Sequence, residues 1–194
     1  MHIAFLIVLA SLGGATDAQL RACAAKASDS DRLACFDKLV PAPAPTKAAR
    51  GKWSIERGKS EMDDSLTVVA SLDASAPISF WPGKKHVPTL YYRCAERRVE
   101  LFVVAGASAR VEAGNDTASM RLRLDDGEPQ LLPAAKGTSD GTFFLPYGPY
   151  YLQTWATFRR LRIEFTPYNS SPVVMDFDIT GFGEPYQAVL DACK

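Results

Sequence analysis

Net charge is the first thing this sequence lacks. Lys and Arg total 22 and Asp and Glu total 22, so no electrostatic argument favours nucleic acid or an anionic membrane as partner. Histidine is almost missing, with His2 and His86 the only two, and no CxxC pair is present, which leaves no usual spacing for a metal site. The GxSxG, HExxH and phosphate-loop patterns are missing as well, and with them the nucleophile elbow, the zinc protease helix and the nucleotide cradle. After the first twenty residues, no apolar run approaches the length of a membrane span. The expectation is a non-enzymatic protein with no catalytic, cofactor-binding or metal-binding residues, no cofactor, and no membrane span once a signal is removed.

Met1 to Ala18 has the form of a secretory signal. Ile3 to Leu12 is an apolar run of h-region length, Gly13-Gly14 breaks it, and Thr16-Asp17-Ala18 supplies small residues for cleavage after Ala18. In an exported chain, four cysteines imply disulfides, and four cysteines admit three pairings. Cys23 with Cys35 and Cys94 with Cys193 is the favoured set, because the first two fall within one small local unit.

That unit, residues 19–40, reads as two short helices. Leu20, Ala24 and Ala27 share one stripe and Leu33, Phe36 and Leu39 another. Ser28 with Asp31 three residues on marks the start of the second helix. A Cys23–Cys35 bridge would clamp a hairpin too small to hold itself together. Residues 41–51 follow as a linker whose alternating Pro and Ala favour extended backbone.

From residue 52 to 194 the pattern changes to period two. The centre is Thr89–Val104, where two runs flank the bend Glu96-Arg97-Arg98. Leu90, Tyr92 and Cys94 share one face with Val99, Leu101 and Val103, which reads as a β-hairpin. Further strands are expected over Trp53–Ser60, Leu66–Leu72, Ser119–Asp125, Gln130–Ala135, Gly141–Leu145, Leu161–Phe165 and Val173–Ile179. Pro77–Pro88 reads as irregular, with His86 a lone surface histidine. Leu152–Arg159 reads as a short helix and Glu184–Cys193 as a terminal one facing inward through Tyr186, Val189 and Leu190. Short alternating strands without a βαβ rhythm define the fold class: mainly β, an antiparallel β-sandwich-like domain with a helical hairpin before it and a helix after it.

Two acid pairs invite a catalytic reading. Asp63-Asp64 lies in a turn, where Asp bonds its own backbone. Asp176 and Asp178 sit on the solvent side of a strand, where carboxylates are ordinary. The more suggestive stretch is Pro146–Trp155. Its aromatics Tyr147, Tyr150, Tyr151 and Trp155 are the candidate partner surface, since Tyr and Trp combine broad contact area with a polar handle. The competing reading is a loop that covers the core.

Several motifs occur together in order: Cys23…DRLACFD, Trp53 with Lys59-Ser60-Glu61-Met62-Asp63-Asp64-Ser65, Leu90…Arg93-Cys94, Thr166-Pro167-Tyr168, Asp176-Phe177-Asp178-Ile179-Thr180-Gly181, and Cys193. In this the chain resembles the VasI (TagO) family of type VI secretion-associated periplasmic accessory proteins. The resemblance implies a periplasmic location and an envelope protein as partner, such as a component of the secretion apparatus, and it brings no catalytic residues. The readings set against it are a cell-wall-directed enzyme or hydrolase inhibitor, and a prophage-encoded envelope factor.

Overall fold

A computed structural model describes residues 16–39, 51–111 and 116–194. The apolar run of the expected signal and residues 41–50 of the expected Pro/Ala linker lie outside the described residues. The chain divides into two compact units, Met1–Lys47 and Ala48–Lys194.

In the first unit, α1 (Asp17–Ala24) and α2 (Asp29–Leu39) form the expected hairpin. The Thr16 hydroxyl accepts from Gln19 N–H while Gln19 Oε1 accepts from Thr16 N–H at 2.9 Å, a reciprocal capping box. The helix therefore starts ahead of Gln19 and includes Ala18, after which cleavage is expected. Ser28 Oγ caps α2 by accepting from Asp31 N–H at 3.1 Å. Leu33 of the expected apolar stripe is 64% exposed, so covalent closure between Cys23 and Cys35, with Cα atoms 5.4 Å apart, supplies what packing does not.

The second unit contains β1 (Ser54–Lys59), β2 (Leu66–Asp73), β3 (Ile78–Phe80), β4 (Lys84–His86), β5 (Thr89–Ala95), β6 (Arg98–Val104), β7 (Thr117–Leu124), β8 (Gln130–Lys136), β9 (Thr142–Phe144), α3 (Pro149–Leu152), a 3-10 turn (Gln153–Thr157), β10 (Arg160–Phe165), β11 (Val173–Asp178) and α4 (Gly183–Ala192). Nine strands form one antiparallel sheet in the order β1-β2-β5-β6-β9-β8-β7-β10-β11. Alternation decides which side chains turn inward: Val68, Ala70 and Leu72 from β2, Leu90, Tyr92 and Cys94 from β5, Met120 and Leu122 from β7, and Leu161, Ile163 and Phe165 from β10, all within one core. The sheet curls back on itself, and Ser75 N–H donates to the Asp176 carbonyl at 2.7 Å, joining the end of β2 to β11. The sandwich-like section thus comes from one continuous sheet.

Two features depart from expectation. Pro77–Pro88 is not irregular: β3 and β4 pair as a small separate hairpin, Ile78 opposite His86, which the flanking prolines conceal. His86 is not a free surface histidine. Its ring packs against Gly106, where an added Cβ would lie 2.4 Å from the imidazole, and its Nε2 is enclosed without a hydrogen-bond partner among the described residues.

The central hairpin pairs Ala95 with Arg98 around Glu96 and Arg97. Both turn residues are left-handed, with φ of 49° and 59°, so this is a type I′ turn made without the Asn or Gly that such backbone favours. On the outer face, Phe102 is shielded by its own neighbours: Tyr91 stacks on it at 5.0 Å, Phe144 tilts against it at 5.2 Å, and the Arg93 guanidinium lies 4.9 Å from its centroid. Cys94, buried on the inner face, bonds Cys193 at the end of α4 across 99 residues of sequence.

Two outcomes are expected. Replacing Cys94 and Cys193 together by alanine lowers unfolding free energy by about 2–4 kcal/mol, measured by urea denaturation, because the bridge closes a long loop. The double change Glu96→Asn with Arg97→Gly raises the urea midpoint, by about 1–2 kcal/mol of stability, because it relieves left-handed strain in the turn. Unchanged or lower stability in the second variant would refute the strain account.

Candidate functional site

The aromatic stretch is shaped by its first residues. Gly148 provides an extended N-cap and Pro149 starts α3 with a preset φ. The helix tightens at once into the 3-10 turn, where Thr154 and Thr157 hydroxyls donate to the carbonyls of Tyr151 and Thr154 at 2.7 and 2.8 Å. Three residues per turn superimpose Leu152 and Trp155 on the inward side, and both are fully buried.

Trp155 is therefore not part of a partner surface, contrary to the expectation from sequence. It serves as the footing beneath that surface. Tyr147 sets its ring against Trp155 edge-on at 5.5 Å and stacks on Tyr151 at 4.8 Å with planes 11° apart. Tyr150 is 89% exposed, and Tyr151 is 37% exposed. The three tyrosines form a ledge of graded exposure on a rigid base. Burial, and then the neighbouring Tyr151 phenol, push the Tyr147 hydroxyl up to about 12. Tyr92, in the core beside Tyr186, is raised further for the same kind of reason.

Beside the ledge lies a groove of about 220 Å³ whose walls include Leu124, Gly127, Glu128, Gln130 and Phe158, with Tyr151 at its rim. Tyr151 OH reaches Gln130 Oε1 at 3.5 Å. The groove is bounded by the turn between β7 and β8, where Asp125 is left-handed with φ of 44° and its carboxylate accepts from Arg159 N–H and Arg160 N–H at 3.0 and 2.7 Å. That acid fastens the turn to the start of β10.

The other acidic candidates are structural. Asp63 accepts from Ser65 N–H at 3.1 Å and from Ser65 Oγ–H at 2.6 Å, and these bonds hold its carboxyl below the usual range. Asp176 takes a forked contact from Arg160. Asp178 accepts from Thr180 N–H at 3.3 Å, and its carboxyl is lowered first by its bonding to Thr180. Both sit on the outer side of β11 as expected, each committed to its own partner. Among the described residues no group of three or more His, Cys, Asp or Glu is placed to hold a metal ion, and no helix is long and apolar enough to cross a membrane.

Sequence reasoning missed what lies on the far side of the β7–β8 turn. Arg121, Arg123, Arg160 and Arg162 alternate with core residues and look like an ordinary solvent face. Only the strand register brings Arg123 directly opposite Arg162.

No family model matches the sequence, and no curated protein matches it. Among solved structures, the chain is similar to invasion associated protein B from Bartonella henselae, at 12% sequence identity and a TM-score of 0.49, over 74% of this chain and 94% of that one. Likeness at that level bears on neither family nor function.

The raised phenols set an alkaline limit on stability. Their folded values lie above the ordinary tyrosine value of 10.0, so the unfolded chain loses these protons first. The stabilisation is complete below about pH 10 and is lost as pH rises from there through the folded values. Urea unfolding at a series of alkaline pH values is expected to show this decline, and Tyr147→Phe to make it shallower. A decline equally steep in that variant would remove Tyr147 from the account.

Proposed function

We propose that this protein is an exported, non-enzymatic accessory protein that docks a protein partner of the cell envelope through the ledge of Tyr147, Tyr150 and Tyr151. The observation that carries the reading is Tyr150, 89% exposed on a short helix whose other side is anchored by buried Leu152 and Trp155. Broad aromatic contact area offered from a rigid base is what tight protein contacts reuse. Two disulfides with no free cysteine among the described residues suit an oxidising compartment. The resemblance to the VasI (TagO) family extends the reading to the periplasm and to a type VI secretion assembly, with an apparatus component as the partner.

The test is affinity capture from periplasmic extract by the mature protein, with the captured partner identified by mass spectrometry. Tyr150→Ala combined with Tyr151→Ala is expected to weaken capture about tenfold or more, in keeping with loss of an interfacial aromatic anchor. Its circular dichroism should match that of the parent. Equal capture by the variant would discard the ledge. Turnover of peptidoglycan fragments by the purified protein would overturn the non-enzymatic reading in favour of a cell-wall enzyme.

A further inference from the structure

The outer face of β7, β10 and β11 is a ladder of charges in which two arginines at one rung share one loosely held carboxylate. Glu164 stands opposite Arg121 and takes a fork from it, with Nε at 2.9 Å and Nη2 at 2.6 and 2.7 Å. Arg162 is flanked by Arg123 on β7 and by Asp176 on β11. Asp176, however, is engaged by Arg160, so Arg162 faces a like charge and shares with Arg123 a single, long ion pair to Asp126. Like charges directly opposite on a sheet are destabilising. The carboxylate nearest to both is that of Asp126, at 3.8 Å from each guanidinium and itself 93% exposed. At that distance no hydrogen bond is made.

These arginines are not free surface groups. Their side chains are only 36% and 24% exposed for Arg123 and Arg162, and Arg123 is fixed in place by donating Nε–H to the Gly127 carbonyl at 2.8 Å. They line a recess of about 210 Å³ whose wall also includes Pro129, Val174 and the mutually paired Arg121 and Glu164, and Val174 is 48% exposed. Two guanidiniums held side by side and partly desolvated, with their hydrogen bonds to a carboxylate unmade, match a planar acid in forked geometry. The apolar lip of Pro129 and Val174 suits the aliphatic neighbours of such an acid in a peptide better than a hydroxylated sugar or a phosphate head group.

We infer that Arg123 and Arg162 form a carboxylate-binding site that receives an acidic side chain, flanked by apolar residues, from the docked protein partner. The inference rests on the docking reading above and names the partner's chemistry. Gly127 belongs to the wall of the tyrosine groove and its carbonyl holds Arg123, so one turn connects the two surfaces.

The test uses the mature, disulfide-bonded protein and a synthetic peptide alternating Glu and Val, followed through the arginine Nε–Hε signals in NMR. The Arg162 and Arg123 signals are expected to move and saturate, with that of Arg160, outside the recess, unmoved. Raising salt from about 0.05 to 0.5 M should weaken binding severalfold, and Arg162→Gln should weaken it about tenfold, the loss of one charge-assisted contact. Because Arg162 faces a like charge and its ion pair to the exposed Asp126 is long and contributes little, R162Q is expected to melt no lower than the parent; a marked fall would show a structural role and overturn the site. No response to the peptide, or an equal response to its Gln-Val counterpart, would also overturn it. Tighter binding of a uronic-acid oligosaccharide or of inorganic phosphate would overturn the assignment to an acidic protein segment. Capture of the envelope partner separates the two proposals. If the double variant Arg123→Gln with Arg162→Gln captures it as well as the parent, docking stands and the acid site falls. If peptide binding stands while the tyrosine variants capture normally, the ledge falls and the acid site remains.

Discussion

Four elements of the β unit meet on the buried ring of Phe182. Its ring lies 5.4 Å from Trp53, 5.5 Å from Tyr92, 6.0 Å from Trp155 and 6.1 Å from Tyr186. Those four belong to the approach to β1, the middle of β5, the 3-10 turn and α4. A fully buried aromatic thus sits where four elements of the β unit meet. Each contact adds modest energy beyond area burial, but together they orient the 3-10 turn and hence the tyrosines standing on it. The arrangement has a cost. Trp53 Nε1, Tyr92 OH and Trp155 Nε1 are buried without a hydrogen-bond partner among the described residues, so apolar and aromatic packing outweighs three polar tips.

Much of this was legible in the sequence, and the reason is the period of two. Leu90, Tyr92 and Cys94 alternate with half-exposed residues in β5, and Met175 and Phe177 alternate with Asp176 and Asp178 in β11, so the inward face could be read directly. Both cysteine pairings were legible for a different reason: Cys23 and Cys35 share a unit too small to have a core, which assigns Cys94 and Cys193 to each other. What remained hidden depended on conformation that composition does not report. Glu96-Arg97 carries no turn signature although its backbone is a type I′ turn. Prolines at positions 77, 82 and 88 mask the short pairing of β3 with β4. Trp155 looked available because Pro146–Trp155 has no strand period, and a 3-10 spacing turned it inward.

The candidate surfaces were the least legible part. A tyrosine-rich stretch announces itself, but its division into base and ledge needs coordinates. The arginine pair could not be seen at all. Which residue of β7 meets which of β10 is set by register, and a shift of one position would exchange every inward and outward side chain. The register that buries Leu122 against Ile163 also forces Arg123 onto Arg162. The core therefore imposes the like-charge contact, and the surface accommodates it.

The Cys94–Cys193 bridge makes the domain a clasp as well as a fold. A pull on Lys194 does not have to peel α4 from the sheet turn by turn. It passes through the sulfur atoms into Cys94 of β5, a strand hydrogen-bonded on one side to β2 and on the other to β6. Load on the chain end is thus shared among three strands, and the helix is bypassed. Tension applied beyond Cys193 would be borne by the sheet for as long as the bridge stays oxidised.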